Sequence, residues 1–114
     1  MRIRNIFKGW FKKQSVSSIH FDKVEFVSSL TEVPKELNST AIYIVQSGKN
    51  RKWVVFKCPD NCGNRVEVNL MKSKKPFWKL KIKRNKISLS PSVIVKGCNS
   101  HFWLIDNEVH WSGF

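Results

Sequence analysis

The sequence predicts a mainly β protein, a small antiparallel β-sandwich or rolled sheet, preceded by one short basic amphipathic helix. Short runs rich in β-branched and aromatic residues recur along most of the chain, and turn-forming residues separate them at close spacing. No stretch after the first residues keeps a helical hydrophobic period, which favours strands packed in layers. We therefore divide the chain into a helix over residues 1–14 and a β-domain over residues 15–114.

The N-terminal segment 3–13 has the spacing of an amphipathic helix. Its apolar residues recur at helical intervals and its cationic residues fill the opposite face. A helix this short is marginal in water unless it packs against something. Docking on its own domain, docking on a protein partner and peripheral contact with an anionic membrane surface all remain open. The apolar face comprises Ile3, Ile6, Phe7, Trp10 and Phe11.

The β-domain begins with strand-like runs and ends in two hairpins. Between residues 77 and 90, apolar side chains alternate with lysines on both sides of Arg84-Asn85, which predicts a two-stranded hairpin with its turn there. A second hairpin is expected across "DNE" at 106–108, and Pro34 interrupts the strand pattern between residues 27 and 40. The other expected strands fall within 19–27, 40–46, 52–58 and 65–70.

The charge of the chain favours an acidic or polyanionic partner. Twenty-one Lys and Arg residues against eight Asp and Glu give a net charge of +13. A lysine-rich solvated surface would account for the same composition. A nucleic-acid-binding β-module is the alternative function, because Phe77 and Trp78 are interleaved with many basic residues over positions 72–86.

The cysteine content points to a reducing compartment. The chain has three cysteines, an odd number that cannot all pair within it, and no apolar run typical of a secretory leader follows its basic start. Nor is any apolar run long enough for a transmembrane segment. We therefore expect a cytoplasmic protein, in which clustered Cys and His indicate metal or catalytic chemistry.

Two Cys/His pairs predict a structural zinc site. Cys58 and Cys62 form a C-x3-C turn, while Cys98 and His101 form C-x2-H at the start of a strand. Together they supply the Cys3His donors of a tetrahedral Zn²⁺ site. The alternatives are reduced core cysteines beside a structural histidine, or a catalytic role.

A hydrolytic site is also compatible with the sequence. Ser92 could meet His101 or His110 through strand pairing, whereas Ser100 and His101 are neighbours on one strand and must face opposite sides. Cys98 is the alternative nucleophile. The acids that could orient a histidine base are Asp60, Asp106 and Glu108.

The C-terminal half resembles a family of small bacterial proteins of unassigned function. The resemblance covers about residues 51–112 and consists of a C-P-x-x-C-G corner, an L-x-P-S segment and a G-C-x-S-H-F-W block with a closing tryptophan. Where the family often has a further cysteine inside the first corner, this chain has Asp60. The matching positions are Cys58, Pro59, Cys62, Gly63, Leu89, Pro91, Ser92, Gly97, Cys98, Ser100, His101, Phe102 and Trp111.

The resemblance implies a setting. Genes of that family lie in bacterial defence-type operons beside ubiquitin-like proteins and their activating and conjugating enzymes. It implies a metal-binding accessory protein or a peptidase that trims or removes the ubiquitin-like tag, with a role in phage defence. The expected partner is therefore the ubiquitin-like protein or its conjugating machinery. Ser92 and His101 are the catalytic candidates.

Overall fold

The fold is mainly β, as the sequence predicts. A computed structural model describes residues 19–60 and 62–112, and within these residues nine strands form three sheets. The expected helix over residues 1–14, with its proposed membrane or partner contacts, lies outside the described residues. The strands are β1 Lys23–Val27, β2 Ala41–Ser47, β3 Asn50–Lys57, β4 Arg65–Asn69, β5 Lys79–Lys83, β6 Lys86–Ser90, β7 Val93–Val95, β8 Ser100–Ile105 and β9 Glu108–Trp111.

The largest sheet has the order β1-β2-β3-β4 and departs from the expected antiparallel architecture in one place. Strand β1 pairs with β2 in parallel, with Lys23 beside Ala41, whereas β2-β3 and β3-β4 are antiparallel. A parallel pair requires a crossover connection between its strands. The segment between β1 and β2, which includes a single 3₁₀ turn at Leu30–Glu32, supplies it.

Both predicted hairpins are present. Strands β5 and β6 pair around Arg84 and Asn85, which have φ of 53° and 64° and form the two-residue turn that suits a twisted hairpin. Strands β8 and β9 pair around Asp106 and Asn107, with φ of 49° and 67°. The short strand β7, which the sequence did not predict, pairs antiparallel with β8 and completes a three-stranded sheet.

One core is shared by all three sheets. Alternate residues of β2, β3 and β4 face inward, among them Ile44, Phe56 and Val68, and meet apolar residues from the other two sheets. Phe56 lies at the centre and contacts Phe21 and Phe102 edge-to-face, with ring centroids 5.4 and 6.1 Å apart. The residues from the two smaller sheets are Ile87, Leu89, Val93, Val95, Phe102, Leu104 and Val109.

A second, smaller core covers the other face of the large sheet. Tyr43, Val45 and Val55 point away from the shared core, and Val33 and Leu37 of the crossover segment pack over them. The central strands β2 and β3 are thus buried on both faces, which explains why their sequence reads as continuous apolar runs. In the part of the chain that the structure describes, no helix has the length and apolarity needed to cross a membrane.

Asn107 ties the last hairpin to the rest of the domain. Its side-chain Oδ1 accepts a hydrogen bond from the Ile87 amide at 2.7 Å, and its Nδ2 donates to the Phe21 carbonyl at 3.3 Å. Its own amide and carbonyl bond to Ile87 and Phe21 as well. The residue is 7% exposed, so these groups have little access to water.

We predict that Asn107→Ala lowers the free energy of unfolding by about 3 kcal/mol, because two buried backbone groups lose their partners and alanine disfavours the left-handed backbone. Asp106→Ala is the matched control, because Asp106 has a positive φ like Asn107. Among the described residues, the hydrogen bond of Asp106 is made by its main-chain amide, which donates to the Ser88 hydroxyl and is kept in the alanine variant. Its cost should be about 1 kcal/mol. Urea denaturation measures both, and equal losses would contradict this role for the Asn107 amide.

Candidate active site and thiol cluster

Strand pairing brings Ser92 and His101 together. Strands β7 and β8 are antiparallel with Ile94 directly opposite His101, and Ser92 lies two residues before Ile94, so its side chain points to the same face. The Ser92 Oγ is 2.7 Å from the His101 Nε2. Both residues are partly exposed, so a solute could reach the pair.

The main chain of Ser92 is fixed by Trp78. The indole Nε1 donates a hydrogen bond to the Ser92 carbonyl oxygen at 3.1 Å, while the ring is partly buried against the shared core. A core side chain thus anchors the segment that presents the Ser92 hydroxyl.

A second cluster forms where two loops meet. Cys58 directly follows β3, Cys62 lies in the turn that leads to β4, and Cys98 lies in the loop between β7 and β8. The amide of Cys58 donates to the Asn64 carbonyl at 2.8 Å and closes the first loop. The Asn64 Nδ2 donates to the Lys96 carbonyl at 3.3 Å and joins the first loop to the second.

Gly97 allows this close approach of the loops. It has φ of 97°, and a Cβ there would lie 3.2 Å from the Asn64 Nδ2. Any other residue would strain the backbone and crowd that amide.

Four donor atoms converge in the cluster. The three thiol sulfurs and a carboxylate oxygen of Asp60 all lie within 4.8 Å of one another. The sulfurs of Cys58 and Cys98 are 3.6 Å apart and those of Cys62 and Cys98 are 2.9 Å apart, with all three cysteines free. Sulfurs around tetrahedral zinc are separated by about 3.8 Å, given a Zn–S distance of about 2.3 Å. These donors therefore suit a small thiophilic ion. The distance between the Cys62 and Cys98 sulfurs is shorter than the sulfur–sulfur distance around tetrahedral zinc.

Asp60 is held by several donors. Its carboxylate accepts hydrogen bonds from the Ser100 hydroxyl, from the Cys58 thiol at 3.2 Å and from the Cys62 amide at 3.0 Å. These bonds, that of Ser100 foremost, hold the pKa of the Asp60 carboxyl well below its usual range. The carboxylate therefore stays ionised, the state in which it can bind a cation.

The three thiols differ in acidity. Burial raises the pKa of the Cys58 thiol, and the hydrogen bond between Cys62 and Cys98 raises the pKa of Cys62 while it lowers that of Cys98. Cys98 is therefore the thiol that ionises most readily when no metal is bound. The nearby Ser100 hydroxyl, 3.3 Å from the Cys98 sulfur, contributes to this effect.

The structure separates the two roles that the sequence left open for His101. The cluster contains Asp60 where the sequence-based ligand set had His101, and the His101 Nε2 lies at Ser92. Adjacent residues of a strand face opposite sides, so Ser100 points to the thiols and His101 points away from them. The ligand set proposed from the sequence did not include Asp60. Its position between Cys58 and Cys62 in the same turn could have indicated that its carboxylate lies near their thiols.

The remaining candidates lie in other surroundings. His110, the alternative base, lies opposite Trp103 on β9, and its Nε2 is 3.6 Å from a carboxylate oxygen of Glu108. The backbone amide of Asp106 is bonded to the Ser88 hydroxyl at 2.8 Å. Asp60 is engaged in the thiol cluster.

Exposed apolar side chains surround His101 on its face of the sheet. Ile94 is 61% exposed and lies opposite His101, while Trp103 and Ile105, which follow at alternate positions on β8, are 40% and 43% exposed. Isolated exposed apolar residues are ordinary, but a contiguous patch beside polar groups marks a binding surface. We refer to Ile94, Trp103 and Ile105 as the apolar platform.

A comparison with known protein families gives one match. A family model described as "Bacterial ubiquitination-like system serine protease (BubE)" matches residues 29–112. The chain belongs to this family. No curated protein and no solved structure matches the chain significantly.

The family description names the pathway that the sequence resemblance implied. The matched region begins at residue 29, whereas the resemblance seen in the sequence begins at about residue 51. It also names a serine protease, a class that depends on a serine hydroxyl beside a base. The description gives the nucleic-acid alternative no support.

We predict that Ser100→Ala costs about 2 kcal/mol of stability, because its buried hydroxyl bonds an ionised carboxylate. Ser92→Ala is the matched control on the exposed side of the same pair of strands and should cost less than about 1 kcal/mol. Chemical denaturation of both variants measures the difference. A larger loss for Ser92→Ala would show that its hydroxyl is a structural group.

Proposed function

We propose that the chain is a serine peptidase of a bacterial ubiquitin-like modification pathway, with Ser92 as nucleophile and His101 as general base. The observation that carries this proposal is the 2.7 Å contact between the Ser92 Oγ and the His101 Nε2 on an accessible face. Family membership supports the reaction class. A reducing cytoplasm is the compartment that fits three free thiols.

The chemistry follows from these two groups. His101 takes the Ser92 proton through Nε2 as the Ser92 oxygen attacks the scissile carbonyl carbon. The same imidazolium then gives that proton to the leaving amine, and an acyl ester remains on Ser92. A water molecule, deprotonated by His101, hydrolyses this ester and regenerates the hydroxyl.

The substrate we propose is a ubiquitin-like protein, cleaved at its C-terminal tail from a precursor or from a conjugate. The apolar platform offers an extended peptide a surface directly beside His101. An acidic partner would be attracted by the net charge of +13. The proposed biological role is in phage defence, with the tag or its conjugating machinery as partner.

Ser92→Ala and His101→Gln should each lower kcat for cleavage of a fusion to a bacterial ubiquitin-like protein by a factor of about 10³ or more. Gel-based cleavage assays measure this rate, with thermal melts to verify folding. Ser90→Ala is the matched control, since this exposed serine lies two residues earlier and ends β6. Its activity should stay within about twofold of the native protein.

Substitution of Cys98 distinguishes a serine nucleophile from a cysteine nucleophile. If Cys98 were the nucleophile, Ser92→Ala would retain cleavage and Cys98→Ser would lose it. That outcome would contradict the proposal.

We also propose that the thiol cluster holds one structural zinc ion through Cys58, Cys62, Cys98 and Asp60. Thiolate donors favour zinc among abundant divalent cations, and a fourth carboxylate ligand is compatible with it. Bound there, zinc would cross-link the two loops and leave Ser92 and His101 to perform the reaction.

The protein as purified should contain about one zinc per chain, and chelation should lower its melting temperature by roughly 10 °C or more, because metal binding is coupled to folding. Asp60→Ala should weaken zinc binding, whereas His101→Gln should keep the full zinc content. Plasma emission spectroscopy of the two variants measures this. Zinc loss in His101→Gln with retention in Asp60→Ala would restore the Cys3His ligand set.

A further inference from the structure

A cleft outside the catalytic pair combines positive charge with an apolar pocket. One cavity of about 920 Å³ lies beside the β2–β3 hairpin tip, and a smaller one of about 310 Å³ lies beside Phe77 and Trp78. The two cavities share Arg51, Leu70 and Lys72 in their linings, so they adjoin each other. We refer to them together as the cationic cleft.

The charged lining of the cleft is all of one sign. Neither cavity is lined by a carboxylate, and among the residues that the structure describes none of these cations forms a salt bridge. Elsewhere on the domain, Lys23 and Arg65 are paired with Glu25 and Glu67. Clustered cations repel one another, and an anionic ligand would remove that cost. The cations of the cleft are Lys49, Arg51, Lys52, Lys72 and Lys79.

Phe77 gives the cleft an apolar contact that the fold does not use. It lines the smaller cavity and is half-buried, yet it belongs to neither hydrophobic cluster of the described residues. Leu70, Trp78 and Leu80, which complete the apolar wall, do pack against the shared core. An aromatic ring beside a core-anchored apolar wall is a suitable seat for one aliphatic or aromatic side chain.

The cleft is also connected to the catalytic pair. Trp78 forms part of its wall and donates a hydrogen bond from Nε1 to the Ser92 carbonyl oxygen at 3.1 Å. A ligand in the smaller cavity would therefore contact the side chain that positions the nucleophile segment.

We propose that the cationic cleft binds an acidic segment of the protein substrate, with one apolar side chain of that segment seated against Phe77. This inference rests on the proposed peptidase function and adds a substrate-docking site to it. A protein segment fits better than nucleic acid, because Trp78 packs against the core and has its Nε1 fixed to Ser92, which leaves Phe77 as the one aromatic ring of the cleft outside the hydrophobic clusters of the described residues. One such ring suits a single apolar side chain, whereas single-stranded nucleic acid stacks successive bases on several rings.

Binding is tested first, with a probe that needs no catalysis. The probe is a fluorescein-labelled peptide in which glutamates surround a single leucine, followed by anisotropy at low ionic strength. Lys49→Glu combined with Lys72→Glu should weaken its binding about tenfold or more. The matched control combines Lys35→Glu with Lys83→Glu, which makes the same charge change at exposed positions outside the cleft. This control should change the affinity by less than about threefold.

Phe77→Ala tests the apolar seat. It should weaken binding of the leucine peptide about tenfold and leave a peptide with serine in place of the leucine unaffected. Equal losses with both peptides, or equal losses in the two double variants, would overturn the proposal. So would a single-stranded oligonucleotide that binds more tightly than the peptide and loses affinity in the same variants.

Cleavage assays then separate this inference from the function on which it rests. The double cleft variant should raise KM for the ubiquitin-like fusion about tenfold with kcat little changed, and should hydrolyse a short ester normally. If the double cleft variant cleaves the fusion with an unchanged KM, the cleft is not a docking site for the substrate, and the proposed peptidase function is unaffected. If Ser92→Ala cleaves as fast as the native protein while the peptide binds as expected, Ser92 is not the nucleophile and the docking site stands.

Discussion

The alternation of side chains along β8 is the constraint on which both sites depend. Ser100 and His101 are consecutive, so a β-strand must send them to opposite faces of its sheet. Ser100 reaches the Asp60 carboxylate and the thiols, while His101 reaches the Ser92 hydroxyl. A shift of β8 by one residue would exchange the two faces and destroy both arrangements at once. Burial of Phe102 and Leu104 in the core fixes the register of β8. That register therefore also determines which groups Ser100 and His101 contact.

The thiol cluster lies at the end of β8 where His101 meets Ser92. Cys98 lies two residues before β8, and Cys58 directly follows the central strand β3. The contact between their sulfurs therefore joins the loop before β8 to the large sheet. Catalytic groups tolerate errors of only about 0.5 Å before their geometry is lost. Ser92 is held from the other side by Trp78. The thiol contacts of the loop before β8 and the partly buried indole of Trp78 thus hold the segments that carry His101 and Ser92.

How far the sequence predicts this protein depends on the range of the interactions involved. Period-2 alternation and left-handed turn residues predict the β5–β6 hairpin and its turn at Arg84-Asn85, because both signals are local. Strand β7 has only three residues and follows directly on Ser92, too short for a periodic pattern. The parallel β1–β2 pair depends on a crossover whose path no local motif specifies. Likewise, the sequence could place Ser92 and Asp60 near the Cys/His motifs, but it could not say which group each contacts. The strand register brings Ser92 to His101, and the fold brings Asp60 to the thiols.

The exposure of the Ser92–His101 pair would place a physical demand on a protein substrate. Ser92 and His101 are only partly buried, so water competes for their hydrogen bonds and weakens any charge stabilisation at the reacting carbonyl. The apolar platform beside His101 can exclude water only when another apolar surface covers it. Efficient cleavage would then require a substrate that closes the site itself, which makes a docked protein a better substrate than a short peptide of the same cleavage sequence. Charge attraction over the rest of the surface would serve that same requirement, because it lengthens the time the covering surface stays in place.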